Sequence, residues 1–229
     1  MYLLDEYGPA LDDSVVSIGM FDGVHRGHRQ VLARLRQQAD RLGAPSVVLT
    51  FDPHPRCVLR PQQAPRMISP LERRLELLAD TGDVDHCLVL RFDRQRSQES
   101  VERFVGETLV ARLGMHALVV GENFACGKDR RGDIAHLRKL GATAGFEVLP
   151  EALIKAPHAE QPISCSSTVT RQLIQVGDMR AASVLLERPH EVPGTVTATM
   201  AVPEAVMEAM LPDDLCVPPA GAYAGEVRL

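Results

Sequence analysis

Short apolar runs alternate with amphipathic stretches along most of the chain, and the two periods predict strands and helices in turn. "SVVSIG" (Ser14–Gly19) is a β-branched run closed by glycine, followed by a helix from about Arg26 to Arg41 with Val31, Leu32, Leu35, Ala39 and Leu42 on one face. "PSVVLTF" (Pro45–Phe51) predicts a second buried strand, and a Pro-rich loop then leads to a helix near Pro70–Asp80 carrying Leu71, Leu75 and Leu78. "HCLVLRF" (His86–Phe92) predicts a third strand. Val101, Phe104, Val105 and Leu109 form the stripe of a helix from about Ser97 to Leu113, with Ser97 as its N-cap. "HALVVG" (His116–Gly121) predicts a fourth strand. A Gly-rich loop, "GENFACGKDRRG", precedes a helix at Asp133–Leu140 and a short strand, "FEVLP".

Strands of four to six apolar residues separated by helices indicate a parallel sheet covered on both faces, so the expected class is α/β. Further along, "SCSSTVTRQLIQVG" predicts a helix capped by Ser166 or Ser167, and Asp178 caps another over Met179–Glu187. "RPHEVPG" breaks the helical pattern, and "TVTATMAV" and "AYAGEVRL" predict strands. The change near Pro189 divides the chain into an expected α/β domain over 1–188 and a small β-rich C-terminal appendage over 189–229.

Composition narrows the classes of function. At 229 residues, 45% hydrophobic and 24% charged, the sequence suits a globular protein of one large domain with an appendage. It has no window of membrane-spanning length and no basic, apolar leader at its start, which predicts a cytoplasmic protein with no membrane partner. The net charge of −5 supplies no positive field to displace counterions, so no nucleic-acid partner is expected. Five cysteines, an odd number with no CxxC, are expected to be reduced thiols.

Open parallel sheets bind ligands beyond the C-terminal ends of their strands. Three polar segments fall at such ends: Met20–His28, Asp52–Pro55 and Glu122–Gly132. In the first, Gly19 and Gly23 permit a tight turn, and Gly27 would let a ligand approach the backbone at a helix N-terminus, whose free N–H groups suit phosphate. His25 and His28 can donate hydrogen bonds to phosphate oxygens and become cationic when an anion raises their pKa. The plain alternative is a solvated helix start. Zinc fits poorly, because no third ligand is near and a glycine-containing turn does not hold two histidines as a helical HxxxH does.

"GMFDGVHRGH", "TFDPHP", "GENFxxGxxxxG" and "SSTxxR", in that order between Val15 and Pro189, resemble the bacterial FAD synthetase family, specifically its FMN adenylyltransferase module. The resemblance implies a Rossmann-like HxGH nucleotidylyltransferase fold. It also implies the reaction ATP + FMN → FAD + pyrophosphate, in which the FMN phosphate attacks the α-phosphorus of Mg-ATP without a covalent enzyme intermediate. ATP and FMN are then the substrates and Mg2+ the cofactor. By the same resemblance His25, His28 and Arg171 serve catalysis. Gly19, Met20, Phe21, Asp22, Gly23, Gly27, Ser166, Ser167 and Thr168 bind the nucleotide. Asp52, Pro53, Pro55, Asn123, Phe124 and Cys126 line the flavin side. Asp22 is either a magnesium-linked carboxylate or the anchor of its turn; no residue is assigned as a metal ligand. His54 is expected to be structural or solvent-facing, and Arg66, Lys128, Arg130 and Arg131 are candidate phosphate-loop charges.

The sequence also departs from the family. Cys126 stands where a second aromatic usually packs on the isoalloxazine ring, a loss worth about 1 kcal/mol of stacking, or roughly tenfold in affinity. Leu59 likewise replaces a common aromatic, and Thr170 replaces an apolar residue, which suggests repacking or a changed substrate contact. After Pro189, "RPHEVPGTV" and "VPPAGAYAGEV" resemble parts of a riboflavin kinase barrel, but the "GFPTAN" segment between them is absent. The appendage therefore reads as an abbreviated kinase remnant without kinase activity. The strand expected at "GEVRL" would offer an edge for a homodimer, unless the natural chain continues. Two other functions stay open: the same fold with a different donor, such as CTP, or another phosphorylated acceptor, and a non-catalytic flavin- or nucleotide-binding regulator.

Overall fold

The computed structural model describes residues 1–158, 161–200 and 206–227. In chain order the elements begin with β1 (Tyr2–Leu4), β2 (Ser14–Ile18), α1 (Arg26–Leu42), β3 (Ser46–Asp52), α2 (Pro55–Leu59), α3 (Leu71–Ala79) and β4 (His86–Arg91). They continue with α4 (Arg94–Ser97), α5 (Val101–Arg103), which runs into a π-helical stretch at Phe104–Arg112, then β5 (Met115–Gly121), α6 (Ile134–Ala144) and β6 (Glu147–Glu151). Two short strands, β7 (Lys155–Ala156) and β8 (Ile163–Ser164), precede α7 (Ser167–Gln175) and α8 (Met179–Leu186); β9 (Thr195–Met200) and β10 (Val206–Met210) follow.

The first six strands form one parallel sheet in the order β1-β4-β3-β2-β5-β6. The chain moves outward from β2 through β3 to β4, then returns across the sheet to β5. Connections therefore diverge at the C-terminal ends of β2 and β5, where such sheets hold ligands. Apolar side chains fill both faces. Val16, Leu49, Leu88, Leu109 and Leu118 belong to one core cluster, and Val15, Leu32, Leu35, Val48 and Val119 to the other. Burial on both faces is what the unbroken β-branched runs required.

Most predicted elements form, with informative exceptions. β1 was not expected: its three residues are mostly exposed and add to the edge of β4. Leu42 is exposed rather than on the buried face of α1. Ser97 does not cap the helix before β5; it ends α4, and Ser100 caps α5 by accepting from the Arg103 N–H. β9 realises the strand predicted at "TVTATMAV" over Thr195–Met200 and pairs antiparallel with β10, while 201 and 202 lie outside the described residues. The strand predicted at "AYAGEVRL" does not form over 222–227, and 228–229 lie outside the described residues. Among the described residues no helix is long and apolar enough to cross a membrane.

Candidate active site

β2 ends at the turn leading into α1, and that turn is tightly determined. Phe21 and Val24 adopt positive φ (49° and 38°), and Gly23 lies at 78°. Positive φ strains a β-branched residue and persists only where surrounding contacts over-determine it. Here Phe21 and Val24 are buried in the core, which holds the turn from its inner side. Gly23 could not carry a side chain, since a Cβ would stand 2.8 Å from Ile68 Cγ2.

His25 is the N-cap of α1: its Nδ1 accepts from the His28 N–H at 3.3 Å. The two imidazoles stack, with centroids 3.6 Å apart and planes 17° from parallel, and Phe21 packs on His28 at 5.2 Å. Burial, followed by the Arg171 charge, lowers the His25 pKa to about 3. His28, whose Nδ1 is sealed from solvent without a partner, is likewise held well below the usual imidazole range by burial and then by the adjacent His25. Both rings are thus neutral at pH 7, each with hydrogen-bonding capacity to offer an incoming anion.

Gly27 lies against another part of the backbone: a Cβ there would meet the Cys165 carbonyl at 2.6 Å. This contact brings the start of α1 against the chain just before α7. Ser166 caps α7 by accepting from the Val169 N–H, and the Ser167 hydroxyl donates to the Asp22 carbonyl at 3.2 Å. Thr168 is exposed beside them. Thr170 is fully buried and its hydroxyl donates to the Ser166 carbonyl at 2.9 Å, which is local repacking and not a substrate contact.

Asp22 links these segments. Its carboxylate is completely buried and accepts from the Ile68 N–H, the Ser69 N–H and, at 2.7 Å, Arg171 Nη2. The Arg171 Nε donates to the Arg66 carbonyl at 2.8 Å. Both carboxylate oxygens are occupied by protein donors, so the structure favours the anchor of the two roles the sequence left open. Arg171 is drawn into this latch and also contributes to the field that lowers the histidine pKa values.

Two further arginines were missed by sequence reasoning. Arg74 of α3 is 1% exposed, donates to the Phe51 carbonyl at 3.1 Å, lies 3.9 Å from Asp52 and has no partner for its Nε. Its charge acts on His28 and His54. The signal was present, since Arg74 falls on the same helical face as Leu71 and Leu78, where a charge is out of place. Arg188 donates to the Gly23 carbonyl at 2.9 Å and its charge acts on His25.

The remaining predicted residues lie at neighbouring strand ends. Asp52 is exposed, the Asp52–Pro53 bond is cis, Pro55 begins α2, and His54 caps α2 by accepting from the Arg56 N–H, the structural role expected. Gly19 and Met20 are partly exposed above β2. Asn123 is exposed beyond β5, with its carbonyl accepting from Arg130. Phe124 packs against the core cluster. Cys126 does the same: its main chain pairs with Gly132, and burial pushes its thiol up to about 12. Its side chain packs against the core cluster. Lys128 and Arg130 are exposed in a loop whose Lys128 N–H donates to the Glu99 carbonyl, on the α5 side of the sheet.

The sequence model described as FAD synthetase matches residues 9–167, a span that includes β2, the histidine turn and the start of α7. The chain belongs to the FAD synthetase family. Among its relatives, the bifunctional riboflavin kinase/FMN adenylyltransferase of Pseudomonas fluorescens is 38% identical over 182 residues, covering 80% of this chain and 57% of the relative. The Escherichia coli K12 protein of the same description is 34% identical over 182 residues, covering 80% and 56%. The chain thus spans less than three fifths of the length of these two FAD synthetase relatives. The Listeria monocytogenes relative is 35% identical over 224 residues, 95% of this chain and 68% of its own length. A crystal structure described as a macrolide-efflux protein from Streptococcus pneumoniae superimposes with a TM-score of 0.80 at 23% identity, over 95% of this chain and 72% of that one, and shares the fold.

Proposed function

We propose that this chain transfers the adenylyl group of Mg-ATP to the phosphate of FMN, releasing pyrophosphate and forming FAD, and that it does not phosphorylate riboflavin. The observation that carries the reading is the stacked pair of the buried His25 and the partly buried His28 at the start of α1, with the Asp22–Arg171 latch joining it to the start of α7. Two helix N-termini, two neutral imidazoles and the cations Arg74, Arg171 and Arg188 then converge around one turn. That arrangement suits a triphosphate and a leaving pyrophosphate.

An FMN phosphate oxygen forms the new bond to the α-phosphorus of ATP as the bond to the pyrophosphate oxygen breaks. No side chain is required as a nucleophile; the residues align the two phosphates and stabilise developing charge. His25 and His28 donate to phosphate oxygens, and an arriving polyanion raises their pKa and strengthens those bonds.

Among the described residues no group of three or more His, Cys, Asp and Glu side chains is placed to hold a metal ion. This fits a Mg2+ ion that enters bound to ATP, since Mg2+ keeps several waters and takes one or two protein carboxylates plus substrate phosphates. The exposed Asp52 is the carboxylate suited to it, and the cation would supply charge neutralisation on the triphosphate. Cys126 packs against the core cluster, so the changed-acceptor alternative rests on the absent aromatic there and on the exposed Leu59. The absence of kinase activity rests on the missing "GFPTAN" between Gly194 and Val217.

Purified protein incubated with Mg2+, ATP or CTP, and FMN or riboflavin tests this, with FAD and pyrophosphate measured. FAD formation from ATP and FMN, abolished by His28→Ala, is expected. Preference for CTP, or flavin binding with no pyrophosphate released, would sink the reading; phosphorylation of riboflavin would overturn the part concerning the appendage.

A further inference from the structure

The segment 66–69, which supplies the partners of Asp22 and Arg171, is held from its other side by the appendage. The Met67 N–H donates to the Asp214 carbonyl at 2.7 Å, and the Cys216 N–H donates to the Met67 carbonyl at 2.7 Å, so that Met67 and Leu215 form a parallel bridge. His190 Nε2 donates to the Cys216 carbonyl at 2.8 Å. Leu215 and Cys216 are 3% and 1% exposed, and Cys216 packs in one apolar cluster with Ile68, Ile174 and Leu186. The main-chain groups along 66–69 are therefore divided between two partners: Arg66, Ile68 and Ser69 face the latch, and Met67 between them faces the appendage. Satisfying both sides of an extended segment fixes its register and its orientation.

We propose that Arg188, His190, Leu215 and Cys216 form a brace that positions the Asp22–Arg171 latch for adenylyl transfer. The brace rests on the functional reading above. These are positioning residues: through residues 66–69 and the Gly23 carbonyl they set the turn that carries the histidines, so the kinase-like appendage has become a working part of the transferase site.

The test uses the full chain with His190→Ala and Leu215→Ala, and Leu215→Met as the conservative variant. Amide hydrogen exchange is expected to accelerate about tenfold at Ile68 and Ser69 in both alanine variants, while Val48 and Leu118 in the sheet stay within about twofold. With the same variants kcat/KM for Mg-ATP is expected to fall about tenfold, KM for FMN to stay within about twofold, and Leu215→Met to keep near-parental values. Unchanged exchange at Ile68 and Ser69, or equal acceleration throughout the sheet, would overturn the brace, as would unaltered kinetics. If Leu215→Ala does not fold, His190→Ala, which removes one hydrogen bond, decides. If the parent chain does not convert FMN, the functional reading falls, and the exchange pattern still decides the brace.

Discussion

Replacing Asp22 by Asn keeps the side-chain volume and removes the charge. In the parent, two main-chain N–H groups and Arg171 all donate to a carboxylate with no solvent exposure, and the Arg171 side chain is only 13% exposed. An asparagine offers one acceptor oxygen and turns an NH2 group toward donors, leaving the guanidinium without its counter-charge. Removing one member of a buried ion pair costs about 3–5 kcal/mol. Each kcal/mol moves the melting temperature by roughly 2–4 °C in a chain of this size, so Asp22→Asn is expected to melt about 6–20 °C lower. Urea unfolding of the parent, Asp22→Asn, Arg171→Met and the double variant at neutral pH closes a mutant cycle. The double variant should lose about 1 kcal/mol or more less than the two single losses together, because it leaves no unpaired charge. Asp22→Asn within about 1 kcal/mol of the parent would refute the anchor role. Activity lost at unchanged stability would return Asp22 to a magnesium-linked role.

Gly27→Ala places a methyl 2.6 Å from the Cys165 carbonyl and must push α1 away from the start of α7; a loss of about 1–3 kcal/mol in unfolding free energy is expected, together with weaker Mg-ATP turnover. Cys126→Phe, which restores the aromatic common in the family, is expected to overpack the contact with Gly132 and destabilise by about 1–3 kcal/mol without tightening FMN binding; tighter binding in a calorimetric titration would contradict the inward placement. The histidine pair predicts acid sensitivity. His25 has a folded pKa near 3 against an unfolded value near 6.5, so the unfolded chain binds the proton first and stability falls as pH drops from about 6.5 toward 3. The slope contributed by this one group approaches about 1.4 kcal/mol per pH unit, and His25→Gln should remove it from urea-unfolding data taken across that range.

The central strands and most helices were legible because burial on both faces of a parallel sheet leaves runs such as "SVVSI" and "HALVVG" with no other reading. β1 was not legible: "YLL" is three residues at a sheet edge and carries neither period nor burial. The histidine turn and the "SSTxxR" helix were found as motifs, but their connection was not, since Asp22 meets Ile68 and Arg171 across 46 and 149 residues of sequence. Spacing cannot disclose such a partner, so Asp22 stayed divided between metal and anchor. Gly27 shows the same limit in reverse. A glycine announces that something approaches closely, while only the fold reveals that the visitor is the Cys165 carbonyl. Arg188 lay in a stretch whose resemblance pointed to another domain, although its guanidinium reaches the Gly23 carbonyl.

The latch has a consequence for how the protein is made. Its carboxylate and its guanidinium lie 149 residues apart in the chain. At about 5–20 residues per second the nascent chain lengthens for roughly 7–30 s between the two. Throughout that interval β2 can find β3 and the Ile68 and Ser69 N–H groups can reach Asp22, but the buried carboxylate has no guanidinium to pair with. The turn after β2 is therefore synthesised well before the latch that joins it to α7 can close.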